Sequence, residues 1–140
     1  MKRTGWALLL IVVVGIVAGL NGAPPLTAQQ EPVKRQVLQK VDLGDKDGVM
    51  YVAEIAPGAA TGKHFHPGPE TVYVLEGSGT LEMEGHPAMT FKSGESFAIP
   101  GKHIHEAKNA SGADHWKLLV FLAGDKGQPI AKLMTPPYFF

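Results

Sequence analysis

Residues 58–77 read GAATGKHFHPGPETVYVLEG, and this stretch decides how the chain is interpreted. His64 and His66 are two residues apart, so in a β-strand both side chains point to the same face of a sheet. A turn follows at residues 67–69, because proline fixes φ and glycine accepts backbone angles that other residues avoid. Glu70 then opens an apolar run and can lie across from the two histidines. The pattern indicates a metal site whose remaining ligand comes from elsewhere in the chain.

A second stretch supplies candidates for that ligand. Residues 94–109 read GESFAIPGKHIHEAKN, with histidines at positions 103 and 105. Together the two stretches resemble the cupin family. The family's first motif, G-x5-H-x-H-x3-E-x6-G, is matched at every fixed position of residues 58–77. Its second motif, roughly G-x5-P-x-G-x2-H-x3-N, is matched at Gly94, Pro100, His105 and Asn109, whereas Lys102 stands where a glycine is usual.

The resemblance implies one divalent transition metal ion as the cofactor. Counting five residues after Pro100 and four before Asn109 selects His105 over His103 as the histidine ligand of the second motif. Nitrogen and oxygen ligands suit Mn, Fe, Co, Ni, Cu or Zn, and the sequence does not choose among these metals. The ligand set implied by the resemblance is His64, His66, Glu70 and His105.

The composition indicates a single small domain built of strands. The chain has 140 residues, no cysteine, 17 glycines and 11 prolines, and these glycines and prolines fall between short apolar runs, as tight turns between strands require. Strands are predicted at residues 37–43, 49–55, 63–66, 71–75, 79–84, 88–91, 96–99, 103–108 and 116–122. About nine strands in one domain must close on themselves to avoid long open edges. We therefore predict an all-β fold, which the resemblance identifies as a single cupin jelly-roll β-barrel.

The N-terminus has the layout of a secretory signal peptide. Lys2 and Arg3 precede an uncharged apolar stretch at residues 6–20, which is shorter than the roughly 20 apolar residues of a spanning helix. We predict a signal peptide at residues 1–28, cleaved after Ala28, and export to the periplasm or secretion. The alternative is an uncleaved anchor formed by residues 6–20, which is the one route by which we expect membrane association.

The rest of the chain divides into three predicted parts. Residues 29–36 are a flexible lead-in, residues 37–127 form the barrel, and residues 128–140 are an aromatic extension that we expect to pack on the barrel edge or on a neighbouring subunit. Cupins often dimerise, so a homodimer is expected. The 13 basic and 13 acidic residues balance and form no basic stripe, which argues against a nucleic acid partner.

Catalysis would require a proton donor or acceptor near the metal, and the sequence singles out no residue strongly. His103 is the named candidate for a catalytic residue, although an exposed loop histidine is the alternative. Further candidates lie in strands or loops near the motifs, namely Tyr51, Tyr73, Glu82 and Glu84. His86 and His115 are interpreted as plain loop residues.

Three functions follow from the resemblance. We favour a metal-dependent enzyme of the dioxygenase-like oxidoreductase type, acting on a small organic molecule that binds the metal as an enolate or phenolate. A redox-neutral lyase, isomerase or decarboxylase is the second hypothesis. The third is a protein that binds a sugar or organic acid without turnover, since one fold hosts many functions.

Overall fold

The computed structural model describes residues 31–134, so the predicted signal peptide and residues 135–140 lie outside the described part. Within residues 31–134 no helix is long and apolar enough to cross a membrane. The described residues form ten β-strands: β1 (Val33–Asp42), β2 (Lys46–Ile55), β3 (His64–Phe65), β4 (Glu70–Glu76), β5 (Ser78–Met83), β6 (Met89–Lys92), β7 (Ser96–Ile99), β8 (His105–Lys108), β9 (Trp116–Asp125) and β10 (Lys132–Leu133).

The strands form two antiparallel sheets of five strands each. The larger sheet has the order β1-β2-β9-β4-β7, and the smaller sheet has the order β10-β3-β8-β5-β6. Strands alternate buried and exposed positions, as sheets with one face on a core do. Strand β9 buries every second residue through most of its length, namely Trp116, Leu118, Val120 and Leu122. This architecture confirms the predicted all-β jelly roll.

Strand β1 begins at Val33 rather than at Val37, so the predicted lead-in at residues 29–36 is wrong for its last four positions. Its backbone pairs with β2 from Val33 opposite Ile55 onward. Most side chains of β1 are exposed, because β1 is the edge strand of the larger sheet. The strand is therefore held mainly by backbone hydrogen bonds, and apolar alternation in the sequence did not reveal where it starts.

The barrel does not end at residue 127 as predicted. Strand β10, at Lys132–Leu133, pairs antiparallel with β3, with Leu133 opposite His64. Strand β3 has only two residues, and β10 covers the edge that it would otherwise leave unpaired. The first part of the predicted aromatic extension thus belongs to the smaller sheet, whereas its three terminal aromatic residues lie outside the described residues.

In the loop after Pro100, Lys102 occupies the position where the second motif usually has a glycine, and it adopts a backbone conformation that favours glycine. Lys102 has a φ of 63°, in the left-handed region. Its backbone N–H donates to the carbonyl of His66 at 2.9 Å. The neighbouring Gly101 packs so closely on Gly68 that a Cβ atom there would lie 2.8 Å from the Gly68 carbonyl carbon. The loop of the second motif is thereby packed against the turn at residues 67–69, which follows the two histidines of the first motif.

Candidate metal centre

Two strands of the smaller sheet bring three imidazoles together. His64 on β3 lies directly opposite His105 on β8, and their ring centroids are 4.3 Å apart. The ring of His66 lies 4.9 Å from His64 and 5.1 Å from His105. All three side chains are buried, and one nitrogen from each can be chosen so that the three lie within 4.8 Å of one another. The structure therefore brings His64 and His66 of the first motif together with His105 of the second motif.

Backbone carbonyl groups fix the orientation of all three rings. Each Nδ1 atom lies at hydrogen-bond distance from a carbonyl oxygen: His64 from Gly62 (2.8 Å), His66 from Ile130 (2.6 Å) and His105 from His103 (2.9 Å). A carbonyl oxygen can only accept, so each Nδ1 carries the hydrogen and donates it. In the neutral ring the Nε2 atom then has a free lone pair, which is the arrangement of metal-binding histidines.

Glu70, the first residue of β4, lies beside the histidine cluster. Its carboxylate oxygens lie 3.2 Å from Nε2 of His66 and 3.7 Å from Nε2 of His105. The Tyr51 hydroxyl donates to the same carboxylate at 3.3 Å. Burial raises the pKa of Glu70 to about 7, because the charged form loses its hydration.

Burial also lowers the pKa of each of the three imidazoles, His64, His66 and His105, to about 4. The rings are therefore neutral at pH 7, and those of His66 and His105 present Nε2 lone pairs toward the carboxyl group of Glu70. Unprotonated nitrogens facing a buried carboxylate are electrostatically unfavourable unless a proton or a cation neutralises them. Three neutral imidazoles and one carboxylate are a donor set that suits a divalent transition metal ion.

The four residues line a small interior cavity of about 30 Å³. A volume of this size accommodates an ion with one or a few small ligand atoms rather than a bulky molecule. Apolar side chains from both sheets form most of the remaining wall, including Val72, Leu81, Phe97, Ile99, Leu118 and Val120. The wall is thus mostly apolar, with the polar groups concentrated at the histidine cluster.

The predicted proton-transfer candidates separate into one residue inside the cavity and four outside it. Tyr51 lines the cavity beside Glu70. The exposed Tyr73 lies on the outer face of the larger sheet, and Glu82 forms an ion pair with Lys108 at 2.8 Å. Glu84 lines a surface groove that shares His105 with the cavity.

His103 contributes to the site through its backbone and not through its ring. Its carbonyl accepts the hydrogen bond from His105, whereas its own Nε2 atom donates to the carbonyl of Glu84 at 2.9 Å. The ring lies 5.6 Å from that of His86, and neither residue lines the cavity. His115 also lies away from the cavity, with Nδ1 at 2.9 Å from a carboxylate oxygen of Glu54.

Sequence reasoning missed Arg35, which lines the same cavity. No motif marks this residue. Its position follows from the pairing of β1 with β2, which places Arg35 opposite the buried Ala53. A signal that could have found it is the alternation of Val33, Arg35 and Val37 along the strand, because these residues share one face.

A family model described as the cupin domain matches residues 51–121, about half of the chain. The chain belongs to the cupin family. The match spans both motifs, from β2 to β9, and so includes all four residues of the cluster.

Two kinds of enzyme occur among the curated relatives of this cupin. A 3-hydroxyanthranilate 3,4-dioxygenase of Xanthomonas euvesicatoria is 28% identical over 97 residues, which cover 64% of this chain and 55% of the relative. The dimethylsulfoniopropionate lyase DddW of Ruegeria pomeroyi is 32% identical over 71 residues, covering 51% of this chain and 46% of the relative. The cupin thus spans about half the length of the curated relatives it matches.

Solved structures show the same fold. The DMSP lyase DddQ of Ruegeria pomeroyi superimposes with a TM-score of 0.57 at 27% identity, covering 64% of this chain and 44% of that one. The polyketide cyclase RemF of Streptomyces resistomycificus gives a TM-score of 0.60 at 23% identity, covering 77% of this chain and 75% of that one. At that identity the second likeness concerns the fold alone.

Proposed function

We propose that this cupin binds one divalent transition metal ion through His64, His66, Glu70 and His105, and that it is an enzyme acting on a small organic molecule. One observation carries the proposal: three backbone-anchored imidazoles lie together in the core, and the Nε2 atoms of His66 and His105 face one buried carboxyl group. An ion held there supplies Lewis-acid chemistry and, if the metal is redox-active, electron transfer.

The chain's own residues have separate roles in this proposal. The carbonyl groups that accept from the three Nδ1 atoms hold the rings in place, and the apolar wall excludes water from the cavity. Tyr51 keeps its proton at neutral pH, because burial raises the pKa of its hydroxyl above the ordinary value. Its hydroxyl therefore donates a hydrogen bond to Glu70. We assign Tyr51 as the residue that can supply a proton inside the cavity.

We favour a dioxygenase-like oxidoreductase within this class. The relative named 3-hydroxyanthranilate 3,4-dioxygenase supports this choice, as does a nitrogen and oxygen donor set that accepts redox-active metals. A redox-neutral lyase is the second candidate, because the more similar of the two relatives by identity is named a dimethylsulfoniopropionate lyase. The two candidates differ in whether dioxygen is consumed.

Oxygen consumption separates the two candidates. The protein reconstituted with Fe(II) is mixed with 3-hydroxyanthranilate or related phenolic and enolic acids in an oxygen electrode, and with dimethylsulfoniopropionate under nitrogen while substrate loss is followed by NMR. We expect oxygen uptake that depends on the metal. Substrate loss under nitrogen without oxygen uptake would assign the lyase. No turnover in either assay, together with tight retention of a small molecule, would favour a binding protein and contradict the enzyme proposal.

Export and dimerisation are separate proposals. Export predicts that protein recovered from the exported fraction begins at Gln29, which N-terminal mass spectrometry measures. Dimerisation predicts twice the chain mass by light scattering; the outer face of the larger sheet exposes Tyr73 and Phe121, which are suited to a subunit contact. An intact N-terminus or a monomeric mass would contradict the respective proposal.

A further inference from the structure

We infer that Arg35 forms an anion-binding position at the metal cavity, so that the preferred ligands of this cupin are small carboxylic acids with a second oxygen donor. The inference rests on the metal site proposed above and names the class of substrate for that site. It concerns a residue that lies outside both motifs, on the edge strand β1.

The register of β1 directs Arg35 toward the cavity. Arg35 lies opposite Ala53 and Val37 lies opposite Tyr51, and both partners on β2 have buried side chains. Paired residues of an antiparallel sheet share a face, so Arg35 lies on the inner face of the larger sheet. Arg35 lines the cavity together with the three histidines and Glu70. Because the residue as a whole is exposed, the guanidinium lies where the cavity meets solvent.

The contacts of Arg35 leave most of its hydrogen-bond donors available. Its positive charge lies close enough to the Tyr51 hydroxyl to favour the ionised form of that group, and the hydroxyl donates to Glu70. None of the ion pairs found within residues 31–134 includes Arg35. A guanidinium carries five N–H donors in a planar fork, which matches the two oxygens of a carboxylate. The guanidinium thus lies beside Tyr51 at the cavity and has donors for a ligand.

The charge balance of the cavity also favours an anion. One carboxylate, Glu70, neutralises only half of the charge of a divalent ion, and imidazoles bind metal ions as neutral ligands. Arg35 adds a further positive charge at the same cavity. A cleft lined by one sign of charge with apolar walls concentrates ligands of the opposite sign. The small volume of the cavity admits only the few ligand atoms that bind the metal, so the remainder of a compact acid such as a 2-hydroxy or 2-oxo carboxylate would lie at the cavity mouth beside Arg35.

The test compares a charged probe with its neutral counterpart. Lactate and lactamide have nearly the same shape, and only lactate carries a carboxylate. Binding of each probe to the cobalt-substituted protein is measured from the visible absorption of Co(II), and cobalt content is measured by elemental analysis. We expect Arg35→Gln to bind cobalt normally and to reduce the preference for lactate over lactamide by about tenfold, the effect of one charge-assisted hydrogen-bond pair. Arg35→Lys should retain part of the preference.

Lys34→Gln is the matched control, because it removes the same charge from the adjacent residue. Lys34 lies opposite Glu54 on the other face of the sheet and lines a separate surface groove. This variant should keep the preference of the wild type. The inference is overturned if Arg35→Gln weakens both probes equally, if it changes neither, or if Lys34→Gln lowers the preference as much. A wild-type protein that takes up no cobalt would instead overturn the proposed metal site itself.

Discussion

The Nε2 atom of His66 lies 3.2 Å from a carboxylate oxygen of Glu70, while Nδ1 of the same ring donates to the carbonyl of Ile130. The nitrogen that faces Glu70 is therefore the unprotonated one in the neutral ring. Two acceptors at this distance repel each other unless a proton on Glu70 or a cation lies between them. The raised pKa of Glu70, about 7, means that the metal-free site holds a proton there at mildly acid pH.

Metal binding should accordingly release a proton in a pH-dependent way. At about pH 6 the Glu70 carboxyl is mainly protonated, since its pKa is about 7, whereas the imidazoles, with pKa values of about 4, are neutral and carry only the Nδ1 proton. A cation that binds the carboxylate displaces the single proton, so release approaches one proton per ion at about pH 6 and almost none at about pH 8. Calorimetric titration of the metal-free protein with Zn²⁺, in two buffers of different ionisation enthalpy, measures the number of protons released per bound ion.

Glu70→Gln is the control for this titration, because the amide cannot lose a proton. The variant should bind the ion more weakly and release no proton at either pH. Release of two or more protons at about pH 6 would show that the imidazoles are charged in the metal-free protein. No release at that pH would show that Glu70 is already ionised, against a pKa of about 7 for its carboxyl group.

Replacing Lys102 by glycine should stabilise the protein. A non-glycine residue in the left-handed region costs about 1–2 kcal/mol, and Lys102 has a φ of 63°. The variant loses only a long ion pair to Asp125, at 3.8 Å between exposed groups, which contributes little. We expect Lys102→Gly to raise the free energy of unfolding by about 1 kcal/mol in urea denaturation. Lys102→Ala keeps the strained backbone and should show no gain; equal stabilities of the two variants would contradict the explanation.

A methyl group at Gly79 should destabilise the core. A Cβ atom there would lie 2.0 Å from Cε3 of Trp116, and the Trp116 side chain is fully buried. Forcing the ring to move costs about 1–3 kcal/mol, as overpacking of a core does. We expect Gly79→Ala to lower the free energy of unfolding by this amount.

Gly112→Ala serves as the comparison, since a Cβ atom at Gly112 meets nothing within 4 Å. Its free energy of unfolding should lie within about 0.5 kcal/mol of the wild type. If Gly79→Ala proved as stable as Gly112→Ala, the packing of Trp116 on β5 described above would be incorrect.

The histidine cluster could be predicted from the sequence because its residues lie in motifs with fixed spacing. The alternation of apolar and other residues along β9, and along β4 from Glu70 onward, likewise indicated which side chains face the core. Both signals are local, since they depend only on neighbours along one strand.

The start of β1, the carbonyl partner of His66 and the position of Arg35 could not be predicted in this way. Ile130 is 64 residues from His66, and it reaches the ring because the chain beyond β9 returns to pair with β3. Arg35 reaches the cavity through the register between β1 and β2, which is set by backbone pairing along an exposed edge strand. Contacts of this kind depend on long-range pairing that leaves no pattern in the residues themselves.

Elemental analysis of the purified wild-type protein and of the His64→Ala/His66→Ala variant, both dialysed against chelator, tests the metal site most directly. The strands are held mainly by apolar packing, so the variant should keep the circular dichroism spectrum of a β-protein. We predict about one equivalent of a transition metal in the wild type and none in the variant. A metal-free wild type, or a folded variant that retains a full equivalent, would contradict the proposed metal centre.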